Sequence, residues 1–167
     1  ILTTHAAGNK VLSSNGFKGK IGGKYYPIIR AIVEKNESKF IRALTDKTNL
    51  TGREKSNFKF RAVSQIKAAA EMAMLSLTDY TSHSQLTEMC VKYEIDCHEL
   101  FLPEIQGIIE VGLKSGSGID FCDMLWLPVK LNMKFPKYDF VFCDEGQDFN
   151  AAQLALIERF SKNGVTG

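Results

Sequence analysis

Tyr138-Asp-Phe-Val-Phe-Cys-Asp-Glu-Gly-Gln-Asp148 decides how the rest of this chain is read. Phe140 to Cys143 is an apolar run of strand length, built from residues that suit a pleated, half-buried surface. It ends on two adjacent carboxylates, Asp144 and Glu145. In open α/β sheets, ligands bind at the carboxyl ends of the strands. The spacing therefore predicts a strand that presents two acids to a ligand. One carboxylate can hold a hydrated Mg²⁺ and its neighbour can orient a water, the two roles that NTP hydrolysis requires of side chains. Gly146 permits a tight turn, and Gln147 and Asp148 add polar groups. Asn150 and Gln153 then have the spacing of a reciprocal cap at the start of a helix.

Outward from this stretch, 167 residues suit one domain, or one domain with a subdomain. No apolar run approaches the roughly 20 residues that cross a bilayer, so no membrane partner is expected. The chain starts Ile-Leu-Thr-Thr-His, with neither Met nor a basic leader, which suggests a start inside a larger protein. Cys90, Cys97, Cys122 and Cys143 form no Cys-x-x-Cys pair. Free thiols in a reducing cytosol are the simpler reading than zinc, and they give a cytoplasmic expectation.

Charge is distributed unevenly. Residues 1–67 carry 14 Lys/Arg against 4 Asp/Glu, whereas residues 68–167 carry 7 against 15. A basic half suits a polyanion and an acidic half suits a metal–nucleotide site, although solvated helix faces can also segregate by sign.

Periodicity places a short β-like start at Ile1 to Thr4 and a short helix at Asn9 to Ser14. A Gly-rich basic loop follows at Asn15 to Gly23. Helices are expected over Tyr25 to Glu34, Glu37 to Leu44, Phe58 to Leu77, Ser84 to Tyr93 and His98 to Lys114, the last with Pro103 in its tolerant first turn. Asp46 to Ser56 reads as turn-rich. In the final helix Leu154, Leu156, Ile157 and Phe160 are expected to face inward. A helical block thus separates two pieces of an α/β core.

Asp144-Glu145-Gly146-Gln147-Asp148, a Walker-B arrangement, resembles motif II of the UvrD/Rep-type superfamily 1 DNA helicases, written DExQD. The Gln in fourth place separates it from DEAD and DEAH patterns. The resemblance implies that Asp144 binds Mg²⁺ through water and that Glu145 is the general base. It implies that Gln147 senses the γ-phosphate and that Asp148 supports that network. Gly118-Ile-Asp-Phe-Cys-Asp-Met-Leu-Trp-Leu-Pro128 resembles the DFDDM/L segment before motif II, with Cys122 in place of the usual Asp. Helix capping by Asp120 and Asp123 is the alternative to a catalytic role. Thr3-Thr4-His5 resembles motif Ib, usually Thr-Phe-His, which in the family touches single-stranded DNA.

The resemblance implies an α/β but mostly helical fold: a partial P-loop NTPase (RecA-like) core carrying a large α-helical insertion. Residues 1–19 and 118–167 would be parts of domain 1A, and residues 20–117 the 1B-like insert. The chain holds no Gly-x-x-x-x-Gly-Lys-Ser/Thr. Gly16-Phe-Lys-Gly-Lys20 has the wrong spacing and reads as a basic loop. The expectation is a helicase fragment whose parent uses Mg²⁺ and ATP to move on single-stranded DNA. The isolated chain would hold neither cofactor and would be inactive. Its partners would be single-stranded DNA, through Thr3, His5, Lys18 and Lys20, and the parent's remaining domains, with self-association through unpaired strands. Lys24, Arg53, Lys55, Lys59, Arg61 and Lys67, with Phe17, Tyr25, Tyr26, Phe58 and Phe60 interleaved, add candidate backbone and base contacts. The alternative is a non-catalytic nucleic-acid-binding module with a vestigial motif II.

Overall fold

A computed structural model describes residues 2–45, 50–114 and 118–162. Among them run eight α-helices: α1 (Thr4–Ser14), α2 (Tyr25–Lys35), α3 (Glu37–Leu44), α4 (Gly52–Leu75), α5 (His83–Lys92), α6 (Leu102–Gly112), α7 (Phe121–Lys130) and α8 (Ala151–Glu158). The chain separates into two compact units. One comprises Ile1–Gly22, Ala73–Thr78 and Leu113–Gly167; the other comprises Gly23–Met72 and Asp79–Gly112.

In the first unit, α1 starts at Thr4 because the Thr3 hydroxyl accepts the Ala6 N–H at 3.2 Å. The expected β-like start is therefore the cap and first turn of a helix. At the other end, the Asn15 side chain donates to the Lys134 carbonyl at 3.0 Å and accepts the Lys134 N–H at 3.2 Å. Asp120 and Asp123 form a reciprocal capping box at the head of α7. Asp123, fully buried, accepts the Asp120 N–H at 2.8 Å, so these acids serve the helix end, as the capping alternative proposed.

Helix α7 buries every residue from Cys122 to Pro128 and occupies the centre of the unit. Pro128 has no N–H to offer the Met124 carbonyl one turn earlier. Gly8 of α1 packs directly onto that carbonyl: a methyl group at Gly8 would lie 1.7 Å from the Met124 oxygen. Val11, Leu125, Ala152, Leu156 and Phe160 form the core between α1, α7 and α8, with Val141 and Phe135 packed against it. The Phe135 and Phe160 rings meet edge-on at 5.1 Å.

In the second unit every regular element among the described residues is a helix. Ile29 and Val33 of α2, Phe40 of α3, Ile66 of α4, Leu86 of α5 and Ile105, Ile108 and Ile109 of α6 are all buried. Phe40 meets Phe101 edge-on at 5.0 Å. Helix α4 begins at Gly52, six residues before the expected Phe58. Thr51 and Glu54 cap it reciprocally, the Thr51 N–H donating to the Glu54 carboxylate at 2.9 Å. The buried Lys24 ammonium donates to the Gly112 carbonyl at 2.6 Å and ends α6. Lys24 and the buried Tyr25 are thus parts of this core, which removes both from the nucleic-acid candidates.

Among the described residues, the expected strand at Phe140 to Cys143 finds no pairing partner. Among the described residues the only β-pairings are isolated parallel bridges, Ile21 to Ile119 and Tyr138 to Ser161. A strand needs a hydrogen-bonding neighbour along its length, and among the described residues only Tyr138 of this stretch is paired. Phe140 and Phe142 are 80% and 89% exposed, while Val141 between them is half-buried. The period of two survives without the ladder. In α8, Leu154 faces outward at 47% exposure, whereas Leu156 and Ile157, with Phe160 just beyond the helix, face inward as expected.

Gly8→Ala should lower stability by about 1–3 kcal/mol or more, because backbone meets backbone at that crossing. Gly107→Ala should raise it by about 0.5–1 kcal/mol, since nothing lies within 4 Å of a methyl group in that helix interior. Denaturant melts of both variants check the pair; equal effects would refute the close-crossing account.

Candidate functional site

The carboxylate stretch bends at Asp144 and Glu145 and closes into a single 3-10 turn, Gly146–Asp148. The Asp148 N–H donates to the Glu145 carbonyl at 3.0 Å, and the Phe149 N–H donates to the Gly146 carbonyl at 3.3 Å. The turn differs from expectation in one respect. Glu145, not Gly146, takes the left-handed conformation, with φ 52° and ψ 38°. A non-glycine residue pays roughly 1–2 kcal/mol for that geometry, and such positions cluster at functional sites.

Gln147 curls back so that its amide donates to the Glu145 carboxylate. Asp144, Glu145, Gln147 and Asp148 are all exposed. Directly after them, Asn150 and Gln153 form the expected capping box, at 3.0 and 2.9 Å, and fix the start of α8. Gln153 also donates to the Thr4 hydroxyl at 3.0 Å. Helix α8 therefore links the carboxylate turn to the first turn of α1.

That link brings some expected residues together and leaves others apart. A cleft of about 790 Å³ is lined by Thr3, Thr4, Lys10, Ser14 and Asp144, over an apolar floor that includes Val11, Leu156 and Phe160. Thr3 and Asp144 therefore share one cleft. His5 turns elsewhere, its ring meeting Phe121 edge-on at 6.3 Å. Lys18 and Lys20 are exposed in the Gly-rich loop, where the Lys20 carbonyl accepts the Ile119 N–H at 3.1 Å. Lys10 was missed. Thr3, Ala7, Lys10 and Ser14 recur at helical spacing, a signal hidden when the segment is split into a β-like start and a shorter helix.

The donor set can be tested against a cation. Among the described residues no group of three or more His, Cys, Asp or Glu side chains could enclose a metal. One or two exposed carboxylates suit Mg²⁺, which keeps several waters and bonds few protein oxygens. Asp144 fits that demand, and Glu145 remains to orient a water. For the phosphates, the chain offers no Gly-x-x-x-x-Gly-Lys-Ser/Thr loop.

In the second unit, Tyr26 and Phe60 stand exposed around a groove of about 470 Å³ with Arg30, Lys59 and Lys67. Lys59 pairs with Glu37 at 2.8 Å, and Arg30 pairs with Glu34 at 2.9 Å. Phe58 is only half-exposed. All four cysteines are free. Burial, then the neighbouring Cys90 and Asp96, push the Cys97 thiol up to about 12. Burial raises Cys90 as well. At pH 8 the Cys97 thiolate should therefore be about a thousandfold scarcer than that of an ordinary cysteine. Its alkylation by iodoacetamide, followed by mass spectrometry, should be correspondingly slow and should accelerate up to pH 12. Rapid labelling at pH 8 would contradict the half-buried, protonated state.

A family model described as the UvrD/REP helicase N-terminal domain matches residues 1–165. No curated protein and no solved structure matches the chain. Among the described residues no helix is long and apolar enough to cross a membrane.

Proposed function

The chain belongs to the UvrD/REP helicase N-terminal domain family, and from that premise we propose that it carries the water-activating half of a Mg²⁺-ATP hydrolysis centre in a DNA helicase or translocase. The observation that carries this reading is the turn at Asp144–Asp148, in which a left-handed Glu145 is hydrogen-bonded by Gln147. Asp144 would hold the hydrated metal. Bound Mg²⁺ would neutralise charge on the phosphates as the bond to the γ-phosphate breaks.

The chain's own side chains do the rest. Glu145 accepts the proton of the attacking water. Gln147, tied to the same carboxylate, reports whether that position is engaged. Asp148 begins the link to α8, and through Gln153 to Thr4. Thr3 and Thr4 line the cleft that holds Asp144, and Thr4 is tied through Gln153 to Asn150, the cap that follows the carboxylate turn, so a contact with single-stranded DNA at Thr3 would lie beside that link. His5, Lys18 and Lys20 would add contacts to the strand. The phosphate grip would come from a part of the parent other than the loops of this chain, which hold no Gly-x-x-x-x-Gly-Lys-Ser/Thr, whereas the P-loop core would be built in part here. Residues 1–19 and 118–167 would contribute to that core, and residues 20–117 would be the helical insert. A cytoplasmic location accords with the free thiols.

In the parent enzyme, Glu145→Gln should lower DNA-stimulated ATP turnover by about 10²–10⁴-fold while nucleotide binding persists. The isolated chain should show negligible turnover. Robust hydrolysis by the chain alone, abolished by Glu145→Gln, would sink the divided-centre reading. The Tyr26–Phe60 groove would stack a base. Phe60→Ala should weaken single-stranded DNA binding by about 1–3 kcal/mol and leave the melting temperature unchanged, because the ring is 74% exposed. Equal affinity in a fluorescence-anisotropy titration would remove that groove from the DNA path.

A further inference from the structure

The second unit holds a pair of thiols that the nucleotide chemistry does not use. Cys90 is buried near the end of α5, and Cys97 is half-buried in the segment after it. A helix continued past Lys92 would put the residue seven places after Cys90 roughly 10 Å along the axis, too far for a disulfide, whose Cα atoms lie within about 7 Å. The chain turns back instead. Glu94 takes a left-handed φ of 52°. Its N–H donates to the Val91 carbonyl at 3.3 Å and the Ile95 N–H donates to the Cys90 carbonyl at 2.8 Å, a paired C-cap that reverses the chain. Cys97 is then held on both sides. Asp96 accepts the Gln65 side-chain amide at 2.8 Å, and the His98 ring accepts the Leu100 N–H at 3.2 Å. The reversal brings the two thiols close enough to share a hydrogen bond. Both also line one pocket of about 370 Å³, with Thr87, Val91, Glu94 and Ile95 among its other walls.

We propose that Cys90 and Cys97 are a dithiol that a hydroperoxide converts into an intramolecular disulfide. The pocket gives a small peroxide access to Cys97, the more exposed of the two sulfurs. With hydrogen peroxide, the Cys97 sulfur attacks one peroxide oxygen, the O–O bond breaks, and the other oxygen leaves as water with the thiol proton. The sulfenic acid so formed lies beside Cys90. The Cys90 sulfur attacks the Cys97 sulfur, the S–S bond forms, the S–O bond breaks, and the hydroxyl leaves with the Cys90 proton as a second water. The pair loses two electrons and the peroxide gains them. Burial raises both thiols, which keeps the reactive thiolates scarce and makes them poor leaving groups. The bond therefore forms slowly and, once formed, is released slowly. It answers sustained rather than brief oxidation, and it locks the reversal after α5 to the segment that leads into α6.

The proposal is independent of nucleotide chemistry, and hydrogen peroxide treatment of the 167-residue chain followed by non-reducing tryptic mapping tests it. Lys92 lies between the two cysteines, so trypsin separates them unless the disulfide joins their peptides. The treated chain should yield the Cys90 and Cys97 peptides joined, lighter than their sum by two hydrogens, and dithiothreitol should part them. Cys97→Ser should abolish the joined species with an unchanged far-UV circular dichroism spectrum. Cys90→Ala should leave Cys97 as a sulfenic acid that dimedone labels, because the resolving thiol is gone; no dimedone adduct would overturn the order of attack. Treated wild type in which both thiols stay free, in which Cys97 advances to a sulfonic acid while Cys90 stays free, or in which either is joined to Cys122 or Cys143 instead, would overturn the proposal.

Discussion

The unit that carries the carboxylates depends on one crossing, that of α1 over α7. Pro128 withdraws a hydrogen-bond donor from the Met124 carbonyl, and Gly8 brings a backbone with no side chain against that oxygen. Only glycine allows two helices so close, and the weak C–H···O contact available there is a minor compensation. The close approach lets Val11 reach Leu125, Leu156 and Phe160 in one cluster. Val141 packs on the same cluster, so the residues leading into Asp144 are held at one point although no sheet holds them. The carboxylate turn is thus anchored by side-chain packing beneath it and by the cap of α8 after it.

Much of this was legible in the sequence, for local reasons. Helices α2 and α3 and the capping box at Asn150 and Gln153 depend on spacing within a few residues, and they stand where the pattern put them. The early start of α4 was legible too: Thr51-Gly-Arg-Glu54 is a capping box overlooked beside a polar, turn-like composition. The start of α1 failed because Ile1 to Thr4 was weighed by β-propensity, although Thr3 has the identity and position of a cap. Residues 115–117, which follow the helix expected to end at Lys114, and residues 46–49 of the expected turn-rich segment lie outside the described residues.

The strand failed for another reason. Alternation predicts which residues share a face, and it did so correctly for Phe140, Val141 and Phe142. It does not supply a neighbouring backbone. Sheet formation is a non-local property, and among the described residues only Tyr138 of this stretch finds a partner. The acids were legible as a motif, but their geometry was not. Nothing in Asp-Glu-Gly-Gln-Asp announces that the glutamate rather than the glycine takes positive φ. That choice follows from how the 3-10 turn and the Asn150 cap are joined.

The left-handed backbone at Glu145 bears on how such a protein fails in a cell. Most damaging substitutions lower abundance, because unfolded chains are degraded. At this position the wild-type residue is the strained one, and glycine or asparagine would relax it. An allele carrying either would lose the carboxylate and still fold, escape proteolysis and accumulate.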